Sequence, residues 1–401
     1  VSEAPADSSA DAPAVEVIVP VHDRARPLAR AVASVAESGL RWGEQVVVTV
    51  VAHNLPVHAV EGMLADVPAE AVVTVLACDD GLPSPAGPRT LALERSRARY
   101  VSFLDSDDWF EPGALAHWLR LAERYGLAAV IAPERHASGR AVLNPPVRPL
   151  HAGALHPRRD RLPYRTALRG LLARKAILDE GLRFSTGVTN GSDQPVSLGL
   201  WFSGRPVRFA SRAPAYVLGD DAPSRVTRTP QPLDAEVAAS AQLLRGAWFR
   251  SLALRDRQLV ATKMVRIHLL PGLALRTLAV TDDKAAHECA HAAAFLHLAR
   301  DAAPGLERSL SRTDERLVEQ VLAAQPDLPG VRDLLAQRRR FTRPSTLLTR
   351  RLGDALRRDA PLRLAAASAL LPLRLRLRLR LRRAATRPSP DGTSTAPVSR
   401  E

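Results

Sequence analysis

Strand and helix signals alternate through the first hundred residues, and few folds accommodate that pattern. Apolar, largely β-branched runs of strand length occupy Val15 to Val21, Val46 to Val51, Val72 to Leu76 and Tyr100 to Leu104. Between them lie stretches with helical spacing: Pro27 to Ser38, which sets Leu28, Ala31, Val32 and Val35 on one face and ends just before Gly39, then Val57 to Leu64 and Arg89 to Ala98. This alternation predicts an α/β fold, a doubly wound sheet of parallel strands. Ligands of such sheets sit at the carboxyl ends of the strands, where His22, His53, Asp79 and Asp105 fall.

The chain has 401 residues, more than a single hydrophobic core usually serves. We expect a small-residue, acidic leader over 1–14, an α/β domain over 15–232, a helical module over 233–337 with Pro-Gly breaks at Pro271, Pro304 and Pro329, and a basic, partly disordered tail over 338–401. The leader lacks the basic and apolar regions of a secretory signal, and no uncharged apolar run approaches the length of a membrane span. Cys78 and Cys289 fit neither a disulfide framework nor a four-thiolate zinc site, which favours a reducing compartment.

The net charge of +14 is local. Residues 338–401 hold 17 arginines against 4 acids, so the remaining 337 residues are close to neutral. Only Lys175, Lys263 and Lys284 are lysines, a bias that a GC-rich genome accounts for. In the tail, Leu and Arg alternate from Leu373 to Leu381, which as a strand segregates all Leu to one face. A low-complexity extension and a contact with anionic lipid both fit this segment. Nucleic acid is not an expected partner, because Phe341 is the tail's single aromatic residue.

The sharpest chemical signal follows the fourth strand, in Asp105-Ser106-Asp107-Asp108-Trp109. Three carboxylates within four residues repel one another unless cations offset them, and hard divalent cations prefer oxygen ligands of this kind. An exposed acidic turn is the plainer reading of the motif taken alone.

Further motifs surround it. Val17-Ile18-Val19-Pro20-Val21-His22-Asp23, Pro88-Arg89-Thr90 eleven residues before Tyr100, Asp105-Ser106-Asp107-Asp108, and the stretch from Leu171 to Phe184 that leads to Ser192-Asp193 together resemble the family 2 glycosyltransferases, which have the GT-A fold. The resemblance runs from about Val15 to Thr229 and departs from the family at Ala52-His53-Asn54, Thr90 and Ser192. It implies an inverting transfer from a nucleoside-diphosphate sugar, with UDP as the family's usual carrier, to a glycan or lipid-linked acceptor in envelope or polysaccharide assembly. It further implies Mg2+ or Mn2+ held by Asp107 and Asp105, donor contacts from Pro20, His22, Asp79, Arg89, Asp105 and Arg225, and Asp193 as the catalytic base. Arg225 and Arg89 also fit ordinary ion pairs with nearby acids. The expected location is cytoplasmic, peripheral on the inner face of the plasma membrane through the basic tail.

Two other classes compete. The departures at His53, Thr90 and Ser192 motivate a catalytically weak module that binds a nucleotide-sugar or glycan. His287-Glu288-Cys289-Ala290-His291 matches the H-E-x-x-H pattern of zinc peptidases. There the third ligand fails, since Ala292-Ala293-Ala294 continues the helix and six further residues turn His297 through about 600°.

Overall fold

The computed structural model describes residues 12–68, 71–142, 148, 151, 153–220, 231–340 and 343–370. Strands β1 (Val15–Val21), β2 (Val46–His53), β3 (Val73–Cys78) and β4 (Tyr100–Phe103) alternate with helices α1 (Leu28–Ala36), α2 (Val57–Met63) and α3 (Ala86–Arg95). Then come β5 (Trp109–Phe110), α4 (Ala114–Tyr125), β6 (Ala129–Ile131), β7 (Glu134–His136), β8 (Gly170–Ala173), α5 (Arg174–Asp179), α6 (Gln194–Phe202), β9 (Val207–Phe209) and β10 (Tyr216–Leu218). The rest is helical: α7 (Leu233–Arg245), α8 (Ala247–Ser251), α9 (Leu254–Met264), α10 (Leu270–Thr277), α11 (Asp282–Ala302), α12 (Arg312–Val321), α13 (Leu328–Arg338) and α14 (Pro344–Leu347).

The main sheet has seven strands in the order β3-β2-β1-β4-β8-β6-β9. The strands read from the first hundred residues are all present and mutually parallel, with Val15 beside both Val46 and Tyr100. Every residue of β1 is buried, as expected of a strand covered on both faces. The sheet is not wholly parallel, however: β8 runs antiparallel to its neighbours β4 and β6. It is reached from β7 through the 3-10 turn Leu162–Tyr164 rather than through a crossover helix, and an antiparallel neighbour needs no crossover. Gly170 opens β8 at φ +131°, where a Cβ would stand 2.0 Å from the carbonyl oxygen of Val130, so only glycine lets the two strands close.

A second sheet of three strands, β5-β10-β7, sits beside the first. On one face of the main sheet, α1 and α4 pack with Val17, Val19, Val48 and Val50, and α1 buries Leu28, Ala31, Val32 and Val35 as its spacing predicts. On the other face, Ile18, Val101, Phe103 and Leu172 begin a cluster that continues through α6 into the helices after 233, reaching Val331 and Leu335 of α13.

Two of the three Pro-Gly pairs behave differently from simple breaks. Pro271 lies inside a continuous helix that runs from α9 through a π turn (Val265–Leu269) into α10, and Pro329 lies in the first turn of α13. A proline inside a helix crowds the carbonyl four residues back, and the π turn absorbs that crowding at Ile267. At its first turn a proline loses no bond. Only at Pro304-Gly305 does the chain turn, with Gly305 at φ +78°.

The start of the basic tail is built into the fold. Arg161, 1% exposed, donates to the carbonyls of Arg358 (3.0 and 2.8 Å) and Arg363, and Arg266 donates to that of Asp359 (2.9 Å). The alternating Leu373–Leu381 segment lies outside the described residues. Among the described residues no helix is long and apolar enough to cross a membrane.

Candidate active site

The carboxyl ends of β1, β2 and β4 open onto a cavity of about 500 Å3. Pro20 and His22 come from the end of β1, His53 from β2, and Asp105, Ser106, Asp107 and Asp108 from the loop that leaves β4. Arg89 reaches in from α3, and Thr189 to Asp193 form the opposite wall where the chain enters α6. Pro20, His22, Arg89, Asp105, Asp107 and Asp193 therefore line one space although 173 positions separate the first from the last. Asp79 does not join them; it is exposed beyond the end of β3. Its neighbour Asp80 is the acid tied to the site, 2.8 Å from Nε2 of the buried His53. Burial favours protonation of Asp80, but the Leu82 amide, His53 and Asn54 outweigh it and hold its pKa below the ordinary value. Arg225 lies outside the described residues.

Each carboxyl of the acidic loop has its own environment. Asp105 accepts from Arg89 at 2.7 Å, while its backbone N–H donates to the hydroxyl of buried Tyr216 at 3.0 Å. Burial pushes Asp105 toward protonation, yet Arg89, Arg169 and Arg26 prevail and keep it below the usual carboxylate range. Asp107 pairs with Arg26 at 2.8 Å, and its carbonyl accepts from Arg30 at 2.7 Å. Asp108 turns inward to accept from the Gly219 N–H at 2.9 Å; burial, then Asp105 and Asp107, push its pKa up to about 7. Behind the loop, Arg169 is gripped by Glu134 at 2.6 Å and lies over the Tyr216 ring. His22, enclosed and close to Arg26, has its pKa lowered by burial first and by that guanidinium second, which favours the neutral ring.

Asp193 stands at the N-terminus of α6 without capping it. Its pKa is raised by burial, against the opposing pull of Arg89, Lys263 and Arg169. Arg26, Arg169, Tyr216 and Lys263 carry no local motif; they lie in unremarkable stretches, and only the fold brings them here. Burial of charged side chains beside an acidic cluster is their common signal, and sequence does not display it.

The donor set suits a hard divalent cation bound in part by its ligand. Magnesium and manganese are often held by one or two carboxylates with phosphate oxygens and water completing the shell, and Asp105 and Asp107 offer two carboxylates on one cavity wall. Among the described residues no group of three or more His, Cys, Asp or Glu side chains forms a metal site by itself. The histidines of the H-E-x-x-H segment stack edge to face at 4.4 Å, and Glu288 accepts from the Leu233 N–H at 2.9 Å, closing the start of α7. Helix α11 runs unbroken past them, which leaves His297 on another face.

Comparison with known proteins follows this geometry. Residues 16–177 match the family model described as glycosyl transferase family 2. No curated protein matches the sequence. Among solved structures, S. aureus TarS 1-349 in complex with UDP-GlcNAc superposes with a TM-score of 0.66 at 15% identity, over 81% of this chain and 91% of that one. The same protein in complex with UDP gives 0.63 at 16% identity over the same shares, and the longer S. aureus TarS gives 0.63 at 15%, with 80% of this chain and 55% of that chain covered. At such identity the likeness establishes the fold, including the helices that follow the sheet. Residues 16–177, which carry the parallel strands and the acidic loop, thus belong to glycosyl transferase family 2 and have the GT-A fold.

Proposed function

We propose that the protein transfers a sugar from a nucleoside-diphosphate sugar to a hydroxyl of a glycan or lipid-linked acceptor, with inversion at the anomeric carbon. The observation that carries this reading is the placement of Asp105 and Asp107 on one wall of a single cavity and Asp193 on the other. The family match supports the reaction class, and the UDP and UDP-GlcNAc complexes of the structural neighbours favour a UDP-sugar donor.

In the reaction, the acceptor oxygen bonds to the anomeric carbon as the bond from that carbon to the diphosphate breaks. The acceptor's proton passes to Asp193, and the nucleoside diphosphate leaves. Asp107 and Asp105 would hold Mg2+ or Mn2+, which when bound offsets the charge gathering on the leaving diphosphate. Arg89 and Arg26 add charge-assisted donors on the same wall, and Arg225 is a further candidate for the diphosphate. Pro20 and His22 border the donor, while His53 with Asp80 stands where the family usually has a carboxylate that contacts the base. The enclosed carboxylate of Asp193, its pKa raised, is a stronger base than an exposed aspartate.

For the place of this reaction, the proposal is the cytoplasmic face of the plasma membrane in envelope or polysaccharide assembly. The arginine-rich tail is its support there, together with Leu352 and Leu356, 64% and 72% exposed beside Arg350 and Arg351.

Calorimetry with UDP, GDP and dTDP, each with and without Mn2+, tests the donor site. We expect metal-dependent binding of one nucleotide, lost in Asp107→Ala. Asp193→Asn should keep that binding and lower kcat by about 100- to 10,000-fold. Failure of every nucleotide to bind overturns the reading, and binding without release of nucleoside diphosphate from any donor favours the binding-module alternative.

A further inference from the structure

The π turn between α9 and α10 places two side chains together that a regular helix would separate. Five residues of α-helix rotate through about 500°, so positions i and i+5 face different ways. A π turn bonds i to i+5 and brings such positions nearly into line, and turns of this kind recur at functional sites. Lys263 and His268 are related in this way: Nζ of Lys263 lies 2.7 Å from Nε2 of His268, and Lys263 is 3% exposed. Burial and the adjacent ammonium push His268 down to about 3, so its ring is neutral and accepts the bond from lysine.

A buried ammonium demands an anion, and the one facing Lys263 is Asp193. The two sit on different halves of the chain, brought together where α7 packs against both α6 and the π turn. Gln194, next to Asp193, accepts from Ser240 of α7 at 3.2 Å, which fixes the start of α6 against the helical half. The charged groups facing Asp193 are Arg89 from α3, Lys263, and Arg169 from the segment before β8. Those facing Lys263 are Asp193 and, through its neutral ring, His268. Arg89 is already engaged with Asp105, and Arg169 with Glu134. Lys263 has no other carboxylate.

We propose that Lys263, held by His268 across the π turn, is a positioning residue for Asp193 that supplies a fixed counter-charge behind the carboxylate from the helical half of the chain. The inference rests on the reading of Asp193 as the base. It makes the helices after 233 part of the active site's electrostatics rather than a passive support.

Lys263→Met preserves length and burial and removes the charge. Its expected effect is an upward shift of the acidic limb of the kcat/KM–pH profile by about one pH unit, with nucleotide affinity unchanged. A uniform loss of activity with the limb unmoved overturns the proposal, since a merely structural lysine does not move it. Should Lys263→Met fail to fold, the scarcity of lysine supplies a second measurement. NMR of protein labelled at lysine shows three side chains, of which Lys263 should titrate near 8 in the native protein and lower in Asp193→Asn. A Lys263 titration unaltered by Asp193→Asn also overturns it. If Asp193→Asn instead turns over normally, the base assignment itself has failed, and that outcome is distinct from either result on Lys263.

Discussion

The three acids of the Asp105 loop look equivalent on paper and are not equivalent in place. Asp105 and Asp107 meet arginines at the cavity wall, whereas Asp108 faces inward to a backbone amide. Asp108→Asn keeps an acceptor for Gly219, so we expect it to cost under about 1 kcal/mol in urea unfolding, while Asp108→Ala leaves that amide unsatisfied and costs about 1–3 kcal/mol. Asp160 shows the opposite balance. Its side chain is fully buried and accepts from the N–H groups of Arg148 and His156 and from the Arg148 guanidinium. Burial raises its pKa, but these donors outweigh it and set the value below the ordinary 3.8. A carboxylate depressed in the folded state stabilises above the unfolded pKa and loses that contribution as pH falls through the folded one. Asp160→Asn should therefore cost about 3 kcal/mol near neutrality, with the gap from the native protein narrowing once the pH drops below about 4. Denaturant midpoints across pH check this. The acids were legible in the sequence because they cluster along the chain. Their arginine partners were not, because Arg26, Arg89 and Arg169 converge only through tertiary contacts.

Strands and helices with strong local periodicity were read within a few residues of their bounds, since each carries its own pattern of burial. Elements whose form depends on a neighbour escaped that reading. The antiparallel β8 is one, and the continuous helix through Pro271 is another, because no local pattern tells strand direction or whether a proline is absorbed by a π turn. Two glycines gain meaning only from such neighbours. At Gly219, a Cβ would stand 2.0 Å from the carbonyl oxygen of Asp107, so Gly219→Ala must displace the acidic loop. We expect at least a tenfold loss in metal-dependent nucleotide affinity with a smaller change in stability, read by calorimetry beside thermal melting. Gly170→Ala faces the same closeness inside the sheet and an unfavourable φ as well, so its loss should fall on stability, about 2 kcal/mol or more.

On the scale of the whole molecule, the sequence divides more sharply than the packing does. The break in pattern near residue 233 suggests two units, yet one apolar cluster joins Phe103 of the sheet to Phe295 of α11. We expect heat to unfold the chain in a single transition sensed equally by Trp118 in the sheet layers and by helical content. Removing residues 343–401 strips the groups that satisfy Arg161, and the melting temperature should fall by several degrees. Removing 371–401 alone should leave melting unchanged and abolish sedimentation with anionic vesicles if the tail makes that contact.

The cluster shared by sheet and helices has a consequence for ancestry. Parts joined by a linker can be traded between genes like beads, each arriving with its own interior. Here a newcomer in place of the helices would have to match an entire wall of the sheet and bring its own ammonium to the same corner. Change in this protein is therefore expected to come one residue at a time, in step across the seam, and descendants should inherit both halves or neither.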